Sequence, residues 1–99
     1  MIARHWHGIA RPEFAQAYVQ HLRAETFPAL ELISGFAAAS ILQRPVAQGV
    51  EFLVIPHWRS IEAIRAFAGS NAETAVVPDV VRPMMVSYDR TVSHYEVVQ

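Results

Sequence analysis

Along the chain the spacing of apolar positions switches between two residues and three to four, and each switch marks an element. From Ile2 to Ile9 the side chains alternate, with Ile2, Arg4, Trp6 and Gly8 on one face and Ala3, His5, His7 and Ile9 on the other, which predicts a strand. In RPEFAQAYVQHLRAETF the residues Phe14, Tyr18, Val19 and Leu22 recur at helical spacing behind Pro12, which suits a first helical turn. Pro28 is expected to end or kink this helix and to leave PALELIS as a short second helical piece closed by Gly35. Phe36 to Arg44 and Val50 to Trp58 read as two strands joined by PVAQG, a connection of hairpin length, so they should pair antiparallel. Ser60 offers an N-cap to IEAIRAFAG, in which Ile61, Ile64 and Phe67 form an apolar stripe and Gly69 a stop. SNAETAVVPDVVRPMMVSYD shows no regular period. Arg90 to Val98 then reads as a last strand, with Val92, His94 and Glu96 on one face and Thr91, Ser93, Tyr95 and Val97 on the other.

The order strand, helix, strand, strand, helix, strand is the ferredoxin-like βαββαβ plan, an α+β fold with helices on one face of a four-stranded antiparallel sheet. The first strand of that sheet lies centrally, between the third and the last. Ninety-nine residues without a linker, repeat or low-complexity stretch make a single domain, residues 1–99. Yet 53% of the residues are apolar or aromatic, more than so short a chain easily hides, and both strand faces share the surplus. A second copy covering the bare sheet face, a homodimer, accounts for it.

Charge narrows the partners. Eight arginines and no lysine stand against nine carboxylates, with no basic or acidic run, which speaks against nucleic acid. Without cysteine there is no disulfide, thiolate nucleophile or cysteine-ligated zinc. The start MIARHWHG carries no apolar leader and no run reaches the roughly 18 residues a membrane span needs, so the expectation is a cytoplasmic protein without membrane contact.

Three stretches carry a family likeness: SGFAAASILQR after the first helix, EFLVIPHWRSIEAIRAF with Trp58 just before the second, and YDRTVSHYEV as the closing strand. Over nearly its whole length the chain resembles the dimeric α+β barrel superfamily and, within it, the antibiotic biosynthesis monooxygenase family. That resemblance implies homodimers whose sheets face each other, with ligands held between each sheet and its helices. The family includes oxygenases acting on polycyclic phenols without metal or flavin, quinol oxygenases and haem-degrading enzymes. The haem-degrading branch carries an asparagine on the first strand and a tryptophan and a histidine in the second helical region. This chain has ARHWHG on the strand, with Phe67 and Val77 near the corresponding helical places, so iron would lack its protein anchor. The resemblance thus implies a cofactor-independent monooxygenase acting on a small aromatic, phenolic or quinol compound. The alternative is a non-catalytic small-molecule-binding or stress-response module on the same scaffold.

For such an oxygenase the base would be a histidine, with His94 the first candidate and His7 the second. Adjacent strand residues face opposite ways, so only one of His94 and Tyr95 reaches any given pocket. Trp6, Tyr18, Trp58 and Tyr95, with Phe67, supply either a flat apolar wall for an aromatic ligand or simply the core. Arg4 and Arg44 lie within strands, where a buried guanidinium requires a carboxylate, Glu51 or Glu96, or an anionic ligand. His5, His7, His57 and His94 fall on three adjacent strands, a spacing that permits a divalent metal. No carboxylate accompanies them, and no metal is expected. A pocket holding a histidine and an aromatic wall favours the oxygenase, and one filled by its own side chains favours the module.

Overall fold

In a computed structural model describing residues 1–99, the chain forms strand β1 (Ile2–Ala10) and helix α1 (Ala15–His21), which continues through a π-helical stretch (Leu22–Thr26) into α2 (Phe27–Glu31). The hairpin of β2 (Phe36–Val46) and β3 (Gly49–Trp58), helix α3 (Ile61–Ala68) and strands β4 (Met85–Tyr88) and β5 (Ser93–Glu96) follow. The sheet is antiparallel in the order β2, β3, β1, with β4 and β5 both paired to the far edge of β1. This is the ferredoxin-like α+β plan with β1 central, as the element order predicts. No helix is long and apolar enough to cross a membrane.

The closing strand differs from expectation. Instead of one strand over 90–98, β4 pairs with Gly8 to Ala10 and β5 with Ile2 to His5. Between them the chain leaves the sheet: the Val92 N–H donates to the Glu73 carbonyl at 2.8 Å, and the Ala75 N–H to the Arg90 carbonyl at 3.0 Å. Because these backbone groups are satisfied by the 73–75 loop, the ladder with β1 is interrupted and the loop is drawn across the sheet.

The helical run also departs from the expected break. The Phe27 N–H bonds the Leu22 carbonyl, five residues back, and Pro28, which has no N–H to offer, falls in the first turn of α2. One extra residue in a turn rotates the face that follows by about 100°. Leu30 is thereby brought into line with Tyr18 and Leu22, and all three are buried, while Glu25 is exposed. The hairpin turn is shorter than PVAQG, since Val46 pairs with Gly49 and only Ala47 and Gln48 lie between. Pro45 is tolerated inside β2 because β2 is an edge strand. A Cβ at Gly49 would lie 2.1 Å from the Ala10 carbonyl oxygen, so the approach of hairpin to β1 demands glycine.

Strand alternation divides the sheet cleanly. Arg4, Trp6 and Ala10 of β1 lie under the helices with Phe52, Val54 and Trp58 of β3. His5, His7, Leu53, Ile55 and His57 point to the other face, where Leu42 and Tyr95 are exposed.

A cavity between sheet and helices as the candidate functional site

A cavity of about 70 Å³ opens between the sheet and α1–α2, and eleven of its sixteen lining residues are hydrophobic. The few polar side chains, Arg4, Tyr18, His21 and Thr26, must therefore orient whatever enters. Phe67 of α3 and the loop 76–81 close its remaining sides. The volume is roughly half that of an apolar cavity of ~150 Å³ that admits benzene, so a single ring fits only with some widening.

Arg4 is only 3% exposed. Its guanidinium donates to the carbonyl oxygens of Ala72 and of Thr74, the latter at 2.7 Å, and lies 3.0 Å from His94 Nε2. It also lies 5.6 Å from the centre of the Phe67 ring, within cation–π range. No carboxylate comes within ion-pair distance of it. The expected Glu96 partner is absent because the 72–74 loop reaches the guanidinium first. Arg44, by contrast, pairs with Glu51 on the open face. Burial pulls the Arg4 pKa down to about 10, which leaves it cationic at neutral pH. Three of its five N–H groups have partners within the chain, so a buried positive charge is left without a counter-charge. Such a group suits an anion.

Trp6 and Tyr18 both line the cavity and also pack in the core, so the two readings of these residues merge. The Trp6 indole N–H donates to the Asp89 carbonyl at 3.0 Å, and its ring lies over Gly8, where a Cβ would come within 2.5 Å of it. Burial pushes the Tyr18 phenol well above its ordinary value, so it remains a neutral O–H donor. Its ring meets Phe52 edge-on at 5.0 Å.

His94 stands behind Arg4 rather than in the cavity wall. Its pKa is lowered, chiefly by burial and then by the Arg4 charge, with Glu73 opposing, so the neutral ring accepts from the guanidinium. Stability from this contact should be complete above the ordinary histidine value of 6.5 and be lost as pH falls from there through the depressed folded value. Thermal melts across that range should show the loss in the wild type, and His94→Gln should lack that component.

His7 and Tyr95 point away from the cavity. His7 Nε2 lies 2.9 Å from Glu51 on the open face, and Tyr95 is exposed there with its ring 4.9 Å from His5. Trp58 is fully buried in a second core group with Leu30, Ala63 and Ile64, stacked at 5.8 Å on Phe67, and so reaches the cavity only through that ring. The four strand histidines do not converge, because His94 shares the face of Arg4 while His5, His7 and His57 lie on the other.

One polar group escaped the sequence reading. His21 lines the cavity, and its Nε2 is buried without any hydrogen-bond partner. Its signal was its position: three residues after Tyr18 and adjacent to Leu22, it lies along the inward stripe of the first helix.

No family model matches the chain, and no curated protein matches it in sequence. Solved structures do. An antibiotic biosynthesis monooxygenase-type protein from Bacillus cereus is 20% identical with a TM-score of 0.67, covering 99% of this chain and 93% of that one. One from Deinococcus radiodurans is 18% identical with a TM-score of 0.68, covering 100% and 94%. A variant of MhuD, the haem-degrader from Mycobacterium tuberculosis, carries two manganese protoporphyrins per active site. It is 26% identical with a TM-score of 0.63, covering 100% and 96%. Over its full length the chain therefore has the fold of these antibiotic biosynthesis monooxygenase-type and haem-degrading structures.

Proposed function

We propose that the cavity binds the anion of a small phenol or quinol and exposes it to dioxygen, a monooxygenation that needs no cofactor. The observation that carries this reading is Arg4, a buried cation with no carboxylate at the end of an apolar cavity walled by Trp6, Tyr18 and Phe67. The phenolic proton leaves, the oxygen anion rests against Arg4, and a ring carbon of the anion bonds to dioxygen. Cleavage of the O–O bond with loss of water leaves a quinone. The substrate loses two hydrogens and gains one oxygen atom, so no outside reductant is required. The protein contributes orientation and exclusion of water. His94 serves by holding Arg4 in place.

A porphyrin is a poorer fit, because about 70 Å³ is far below its size. The same small volume favours the second reading, a non-catalytic module that binds a small aromatic. Oxygen uptake with a panel of single-ring phenols and dihydroxybenzenes separates the two. Uptake above the uncatalysed rate supports the oxygenase, whereas binding without uptake supports the module.

The family likeness and the open sheet face, with Leu42 and Tyr95 exposed beside Leu53 and Ile55, support a homodimer through the sheets. Light scattering should give twice the chain mass, and a stable monomer at micromolar concentration would remove this proposal.

A further inference from the structure

Resting on the anion-site reading above, we propose that His21 Nε2 is the acceptor of the phenolic proton. Only Arg4, Tyr18 and His21 among the lining side chains are ionisable; β3, α3 and the loop 76–81 contribute none. Arg4 is a cation without a lone pair, and Tyr18 is kept protonated by burial. A neutral imidazole presents one acceptor nitrogen, and Nε2 of His21 is a buried ring nitrogen to which nothing in the chain donates or from which nothing accepts. Buried polar atoms are seldom left so, and the missing partner matches the proton that the reaction must move.

The local backbone supports the placement. His21 ends α1, and the π-helical stretch that starts at Leu22 brings Thr26 and Phe27 onto the cavity wall as well. Such bulges recur at functional sites. In the step itself the phenolic O–H bond breaks, the electron pair stays on the oxygen beside Arg4, and the proton bonds to Nε2. A neutral phenol and a neutral imidazole become phenolate and imidazolium, so the complex as a whole exchanges no proton with solvent.

4-Cyanophenol, which is still protonated in water near neutral pH, provides the test. Ultraviolet absorbance reports whether the bound ligand is phenolate, and calorimetry in two buffers of different ionisation heat counts protons released. The wild type should show the phenolate band with no net release. In His21→Gln the band should fall by at least about tenfold at the same pH, with any remaining phenolate accompanied by one proton released. A His21→Gln protein that keeps both the band and the zero proton count overturns the assignment. Ring ¹⁵N resonances of His21 in the wild type give the same answer without a substitution. They should move to the imidazolium pattern on binding, and a phenolate band with unchanged His21 resonances defeats the role of His21 while leaving the Arg4 site intact. A ligand that binds only as neutral phenol, with no band, defeats both.

Discussion

Replacing Arg4 by methionine should weaken phenolate binding by about 2–5 kcal/mol, roughly thirtyfold to several thousandfold, which is the usual cost of truncating one member of a buried charge pair. Methionine keeps much of the aliphatic stem, so the loss reads the guanidinium rather than the volume. The same substitution leaves the Ala72 and Thr74 carbonyl oxygens without their donor, which should cost about 1–3 kcal/mol of stability in the 71–76 loop. Removing a buried cation that has no counter-charge offsets part of that loss. Binding should therefore fall further than stability. Arg4→Lys divides the contributions, since it keeps the charge but not the planar fork that holds two carbonyls, so it should bind better than Arg4→Met yet leave the loop loose. Titration calorimetry and denaturant melts of the three proteins measure both effects. Unaltered affinity in Arg4→Met would mean that the cation does not hold the ligand.

Trp58→Ala should lose about 3–5 kcal/mol of folding stability, among the larger costs a single core truncation carries. The indole is fully buried, with Phe36 at 5.4 Å on one side and Phe67 at 5.8 Å on the other. Small domains are stable by only about 5–15 kcal/mol, so roughly a fifth or more of the total is at stake. Ligand affinity should decline mainly because Phe67, which does line the cavity, loses its support. Trp58→Phe retains most of the packing and should cost far less. A Trp58→Ala protein of nearly normal stability that no longer binds would reverse the picture and make Trp58 a wall of the site.

Element order was legible in the sequence because period two and period three to four are local properties of strands and helices. Convergence on the cavity was not, because it depends on register between distant segments. Arg4 and His94 meet only because β5 pairs with β1 across ninety positions, and the same register sends His7 and Tyr95 to the opposite face. The break between β4 and β5 has no periodic signature either: it arises from the 73–75 loop competing for backbone hydrogen bonds. That competition also explains why carbonyls, and not Glu96, surround Arg4. His21 was hidden for a different reason. A polar residue on an apolar stripe reads as an exposed flank until the π-helical turn that follows shows which side of the helix the cavity occupies.

The preference of the cavity for an anion is measured directly by the ionisation of a bound phenol. Absorbance of bound 4-cyanophenol, followed as pH is varied at saturating protein, gives its pKa in the site. The charge on Arg4 predicts a value below that of the same phenol in water, because a nearby cation favours the ionised form. A value raised above that in water, the response of an apolar cavity acting by desolvation alone, would contradict it.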